Sequence, residues 1–255
     1  MSAKLQEAIK GYLSQGYKIA ENHSPTSVTL LKKGLFINKW LFLWTDDHSD
    51  VQISTQNFKN LTKKLSEKIR TQRVLEAKRS WTWKCVANKR YNELDSFSRL
   101  LVDEEEENNQ ILEQLKRERA IIENEINSRN LLGDTAIPLK EEIERCLNAG
   151  YELQSHTNSS AVLKRHTPHL SRDEMLKLCV GSNGRVQCNG ESSKEMQERL
   201  NSLISLFKVY RTFKPPLRKD KHFLDKQFEL DAEINALVTE MKYLGCSPNL
   251  GDYEL

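Results

Sequence analysis

The stretch from Leu5 to Ile19 occurs twice. Leu5, Ile9, Leu13, Gly16, Tyr17 and Ile19 recur as Leu139, Ile143, Leu147, Gly150, Tyr151 and Leu153, at a constant displacement of 134 residues. A repeat at fixed displacement restricts the chain to architectures made of two similar units. In each copy, apolar residues at i, i+4 and i+8 form one stripe on a short helix. Pro138 suits the opening of the second helix, where a missing N–H costs nothing. Gly16 and Gly150 stand where a helix ends in the left-handed region, which glycine enters without a Cβ penalty. Tyr17-Lys18-Ile19 and Tyr151-Glu152-Leu153 then alternate with the period of a strand.

Further strands follow in the same order in both halves. The first half offers Val28 to Lys32, Trp40 to Trp44 and Val51 to Ile53; the second offers Ala161 to Lys164, Leu176 to Val180 and Val186 to Cys188. The turns Asn22 to Ser27, Thr45 to Asp50 and Gly181 to Gly184 separate them. The expected fold class is α+β: a tandem duplication of a helix plus small antiparallel sheet module, each copy followed by long helices. The boundaries read as 1–55 for the first module, 56–133 for a long helical segment, 134–190 for the second module, 191–245 for a helical hairpin or coiled coil, and 246–255 for a tail that is ordered at its start and frays. Trp40 to Trp44 is apolar on both faces, so something besides the module's own helix must cover the second face.

Between Gly34 and Gly133 there is no glycine or proline, and Lys, Glu, Leu, Arg and Gln dominate, which is long-helix composition. One helix is expected from about Asn57 toward Leu101. Asp103 with Glu106 reads as a capping box opening a second near Glu104, which makes the acidic run Asp103 to Glu107 first-turn carboxylates, and Leu112, Leu115, Ile122 and Ile126 form its seam to Leu132-Gly133. Ser192 and Glu195 cap a later helix, and Pro215-Pro216 stops it. Leu230, Ile234, Leu237, Met241 and Leu244, spaced 4, 3, 4, 3, form a heptad seam that suits either an intramolecular bundle or an oligomer. With the two-faced strand, this seam predicts self-association.

Composition excludes several classes. No run approaches about 18 apolar residues, and no basic segment followed by an apolar one opens the chain, so neither a membrane span nor a secretory signal is expected. Five cysteines without CxxC spacing argue against a disulfide framework and fit the cytosol. His166 and His169 with Cys179 and Cys188 are the best metal set. Their hairpin register puts Cys188 on the apolar side beside Leu178 and turns Cys179 away with Lys177, so the sulfurs cannot share a tetrahedral site. His23 and His156 fall in nearly equivalent turns without matching acidic or thiol partners. No glycine-rich phosphate loop, nucleophile elbow or zinc-protease helix is present. No enzyme, no cofactor and no metal are expected.

Charge distribution rises above background although the net charge is only +3. From Lys59 to Arg90 eleven basic residues face two acidic ones, among them Lys63, Lys64, Lys68, Arg70, Arg73, Lys78 and Arg79, with Trp81, Trp83 and Tyr91 interleaved. The segment holding Phe207, Lys208, Tyr210, Arg211, Phe213, Lys214, Arg218, Lys219 and Lys221 is also basic. Cations beside aromatics can neutralise phosphates and stack bases, yet the same helical spacing makes aromatics core residues. The sequence therefore predicts a non-enzymatic interaction or assembly protein that binds protein partners or itself, with nucleic-acid binding through Lys59 to Arg90 as the alternative. Membrane is the poorer partner, because Trp81 and Trp83 fall on opposite helix faces.

Overall fold

A computed structural model describes the chain except for residues 35–36, 47, 88–95, 130–131, 133–134, 171, 213–220, 252 and 254–255. It is an α+β protein with two four-stranded antiparallel sheets. Helix α1 (Ala3–Ser14) precedes β1 (Lys18–Ser24), β2 (Ser27–Lys32), β3 (Lys39–Thr45) and β4 (Val51–Ser54). Helices α2 (Phe58–Val86), α3 (Ser96–Asp103) and α4 (Glu105–Ser128) follow. Then come α5 (Ile137–Asn148), β5 (Glu152–His156), β6 (Ser160–Thr167), a 3₁₀ turn at Pro168–Leu170, β7 (Arg172–Val180), β8 (Val186–Asn189), α6 (Ser193–Thr212) and α7 (Lys221–Tyr243). Both sheets are simple meanders, β1-β2-β3-β4 and β5-β6-β7-β8.

The helix-to-strand junctions share their chemistry. Gly16 has φ 88° and Gly150 φ 90°. In both, the glycine N–H bonds the carbonyl three residues back (Leu13, Leu147), and the following tyrosine N–H reaches five back, to Tyr12 and Cys146. This paired closure is the Schellman arrangement, which satisfies carbonyls that a helix end leaves open. Gly245, at φ 76°, closes α7 in the same way onto Lys242 and Met241.

The chain divides into two compact units. The first comprises Met1–Ser66, Arg119–Lys164 and Lys177–Cys188. Its β2 and β3 pair Val28 with Leu43 and Leu30 with Leu41, and these four residues pack on Leu5 and Ile9 of α1. Leu13, the third residue of that stripe, is 39% exposed, whereas its counterpart Leu147 is buried with Leu139 and Ile143. The second face of β3 carries Phe42 and Trp44, and Arg129 covers it. The guanidinium lies 4.6 Å from the Trp44 ring centroid and 5.5 Å from that of Phe42, donates to the Gln56 carbonyl at 2.6 Å, and pairs with Glu125. Stacking suits the planar, weakly hydrated guanidinium where a lysine would not serve.

The second unit comprises Glu67–Glu118, Arg165–Leu176 and Asn189–Leu255. Ser192 and Glu195 form the expected capping box at the start of α6. Met196, Leu200, Leu203, Ile204 and Phe207 of α6 then pack on Leu230, Ile234, Leu237, Val238 and Met241 of α7. The two helices are antiparallel, since Ser193 meets Cys246 at 2.8 Å. The tail does not fray at once: Tyr253 is buried, packs edge to face on Phe207 at 5.1 Å, and donates its hydroxyl to Asp231.

The helices differ in places from the sequence expectation. The single helix toward Leu101 falls partly on residues 88–95; what is described is α2, ending at Val86, and a separate α3. Asp103 closes α3, while Glu105, Glu106 and Glu107 supply the acidic first turn of α4. Helix α4 stops at Ser128, before Leu132, and Gly133 lies outside the described residues, as do Asn88, Lys89, Arg90, Tyr91, Phe213, Lys214, Pro215, Pro216, Arg218 and Lys219.

Candidate interaction surface

Two residues apart on a helix means about 200° of rotation. Trp81 and Trp83 divide accordingly. Trp81 is half-buried and meets Phe228 of α7 edge to face at 6.4 Å. Trp83 is 67% exposed, with Val86 one turn on at 41%. No other described tryptophan stands so far into solvent, Trp40 being 42% exposed and Trp44 buried.

The acidic helix folds back on the basic one. Leu75 of α2 packs with Leu112 and Leu115 of α4, and Lys68 pairs with Glu118. A groove of about 770 Å³ runs between them, with Glu76, Arg79, Trp83 and Lys84 on the α2 wall and Glu105 and Glu113 on the α4 wall. Glu113 is held below the usual carboxylate range by its bond to Lys116, with Arg117 and Arg79 adding to the effect. Lys78 is buried, pairs with Asp225 at 2.5 Å, and lies 5.9 Å from the Phe228 ring. Thus the structure ties Lys68 and Lys78 into the second unit, leaves Arg73 half-buried, and exposes Arg70 and Arg79. Lys63 and Lys64, in the first unit, are also exposed, and Lys64 reaches Gln56 at 3.0 Å.

The proposed oligomer seam is occupied within the chain. Leu230, Ile234, Leu237 and Met241 are each 2% exposed or less under α6; Leu244 is 42% exposed. Beside this core lies a buried charged layer. Glu174 on β7 accepts from Arg165 at 2.7 Å and from Arg199 of α6 at 2.5 Å; Arg165 also meets Glu240, and Arg199 meets Glu191. Buried charges persist only when paired, and these pairs join a strand to two helices. Next to them His169 packs 3.2 Å from Glu229 and 3.9 Å from Glu233. Burial lowers the His169 pKa and pushes Glu233 up to about 7, the latter against the opposing pull of Arg70.

His166 stands in β6, exposed, and bonds Asp173 at 2.8 Å, while His169 belongs to the 3₁₀ turn rather than an open loop. Cys188, on the four-residue edge strand β8, is exposed, with its thiol 3.9 Å from Glu142 of α5. Among the described residues no three His, Cys, Asp or Glu are placed to hold a metal ion. Burial lowers the His23 pKa, Glu21 raises it, and His156 lowers it further. His23 also lies 2.5 Å from the Thr29 hydroxyl.

Arg129, Arg199, Glu174 and Tyr253 were not singled out by the sequence. Arg129 carried a signal, since it follows Ile122 and Ile126 on the same helical face. Among the described residues no helix is long and apolar enough to cross a membrane. Compared with protein-family models, curated proteins and solved structures, the chain matches none.

Proposed function

We propose that the chain is a non-enzymatic interaction protein that engages a protein partner through the α2–α4 groove, with Trp83 as the anchor. The observation that carries this reading is the exposure of Trp83 on the wall of a groove holding both signs of charge. Tryptophan and arginine dominate binding energy at protein interfaces, and an anchor needs a concave rim that excludes water around it. We also infer a tandem duplication of the helix-plus-sheet module, supported by the matched Gly16 and Gly150 closures and identical strand orders. The α6–α7 pair acts as a short intramolecular coiled coil. Free thiols at Cys146, Cys179, Cys188 and Cys246 favour a reducing compartment, the cytosol.

Nucleic-acid binding is the second reading, favoured by the exposure of Lys63, Lys64, Arg70, Arg79 and Lys84 along α2. Against it, Glu76, Glu105 and Glu113 line the groove where a base stacked on Trp83 would bring its phosphate. The test is capture from lysate on immobilised protein, with and without nuclease, using the wild type and Trp83→Ala. Proteins retained through nuclease treatment and lost with Trp83→Ala support the first reading. Retention abolished by nuclease, and by Glu at Lys63, Lys64, Arg70 and Arg79, supports the second.

A further inference from the structure

We infer that the partner seated on the α2–α4 groove is a second copy of this chain, arranged about a two-fold axis with α2 of each copy along α4 of the other. The inference rests on the interaction reading above and names its occupant.

Two surfaces suited to self-association in the sequence are largely covered inside the chain, Trp40 and Leu244 at their ends staying 42% exposed. Phe42 and Trp44 lie under Arg129, and Leu230 to Met241 lie under α6. Trp83 and Val86 are the large apolar side chains that α2 leaves in solvent near the groove. Their surroundings select the occupant by charge. The α2 wall presents Arg79 and Lys84, each exposed, with Glu76 engaged by Gln72 at 2.9 Å; the α4 wall presents Glu105 and Glu113, the latter also paired with Lys116 at 2.6 Å, opening onto the exposed Glu106 and Glu107. A polyanion is repelled by the α4 wall and a polycation by the α2 wall. The fitting partner carries a basic and an acidic ridge side by side, on either side of an apolar centre.

The same patch on another copy has that pattern. A two-fold axis through the groove sets each Arg79–Lys84 ridge against the other copy's Glu105–Glu113 ridge, and brings Trp83 against its own equivalent. Self-complementarity of one patch is the condition for an isologous dimer. Opposite-charge ridges also fix the orientation, since the parallel alternative places like charges together.

The test is the mass of the full chain by sedimentation equilibrium or light scattering over a wide concentration range. The variants are Trp83→Ala, the basic-wall pair Arg79→Glu with Lys84→Glu, and the acidic-wall pair Glu105→Lys with Glu113→Lys. All the substituted residues except half-buried Glu105 are exposed, and an unchanged circular dichroism spectrum and melting temperature verify the fold of each variant. The wild type should form a reversible dimer. Trp83→Ala and each charge variant alone should weaken it by roughly tenfold or more. Mixing the two charge variants should restore a heterodimer, because the reversed ridges again face opposite charge. A wild type that stays monomeric, a dimer indifferent to Trp83→Ala, or a mixture that does not pair would each overturn the inference. If the wild type is monomeric while Trp83→Ala still loses nuclease-resistant protein partners, only the identity of the occupant fails. If Trp83→Ala loses nothing in either experiment, the interaction reading falls as well.

Discussion

Glu233 shows how one buried side chain links this fold to pH. Burial raises its pKa from 4.5 to about 7, while in the unfolded chain it titrates in the ordinary range. Between those values the native state holds a proton that the unfolded state has lost, so its contribution falls as pH rises from about 4.5 to 7. Glu233→Gln should therefore match the wild type near pH 4.5 and exceed it above pH 7, by up to about 3 kcal/mol. Denaturant titrations at a series of pH values measure this, and a difference independent of pH would contradict it. Gly16 is simpler: at φ 88°, Gly16→Ala should cost about 1 kcal/mol or more in the same assay. That glycine was legible because its conformation is local. Glu233 was not, because its burial, and the opposing charges of Arg70, Arg165 and Arg199, come from other elements.

At the scale of elements, the strands were readable and the coverings were not. Alternation and turn residues fix β2, β3 and β4 within a residue or two, since side-chain period and turn chemistry belong to neighbouring residues. The need to cover both faces of Trp40 to Trp44 was also plain, but Arg129 as the cover was hidden by its charge. Arg129→Ala removes a stacked, ion-paired guanidinium from over Trp44 and should lower stability by about 3 kcal/mol. Arg129→Lys should lose part of that, because an ammonium keeps the charge without the plane. Thermal melting of both separates the two contributions; melting points equal to wild type would contradict the stacking. In the helical hairpin, Ile234→Glu with Leu237→Glu places two carboxylates against Phe207 and Leu203. The expected outcome is loss of stability or of folding, read by denaturant titration. An intact, equally stable fold with a smaller mass would show instead that the seam joins two chains.

At the scale of the whole molecule, charge segregation in the sequence became charge sharing within the second unit. Part of the excess of eleven basic residues over two acidic ones from Lys59 to Arg90 meets acidic partners in the fold. With α4 along α2, Glu118 takes Lys68, and Glu105 and Glu113 line the groove with Arg79 and Lys84; Asp225 of α7 takes Lys78. A linear sequence cannot show which acidic segment returns to which basic one, because that is set by the packing of Leu75 on Leu112 and Leu115. Beside these charges Trp83 stands in solvent, 67% exposed. The most direct measurement is a photo-crosslinking amino acid placed at position 83 of the full chain and irradiated in cells, with position 121 as a control, Ile121 being 66% exposed on α4. Adducts from position 83 that resist nuclease, yield to protease and are absent from position 121 are the predicted result. Adducts formed only with nucleic acid, or the same protein adducts from both positions, would contradict the account.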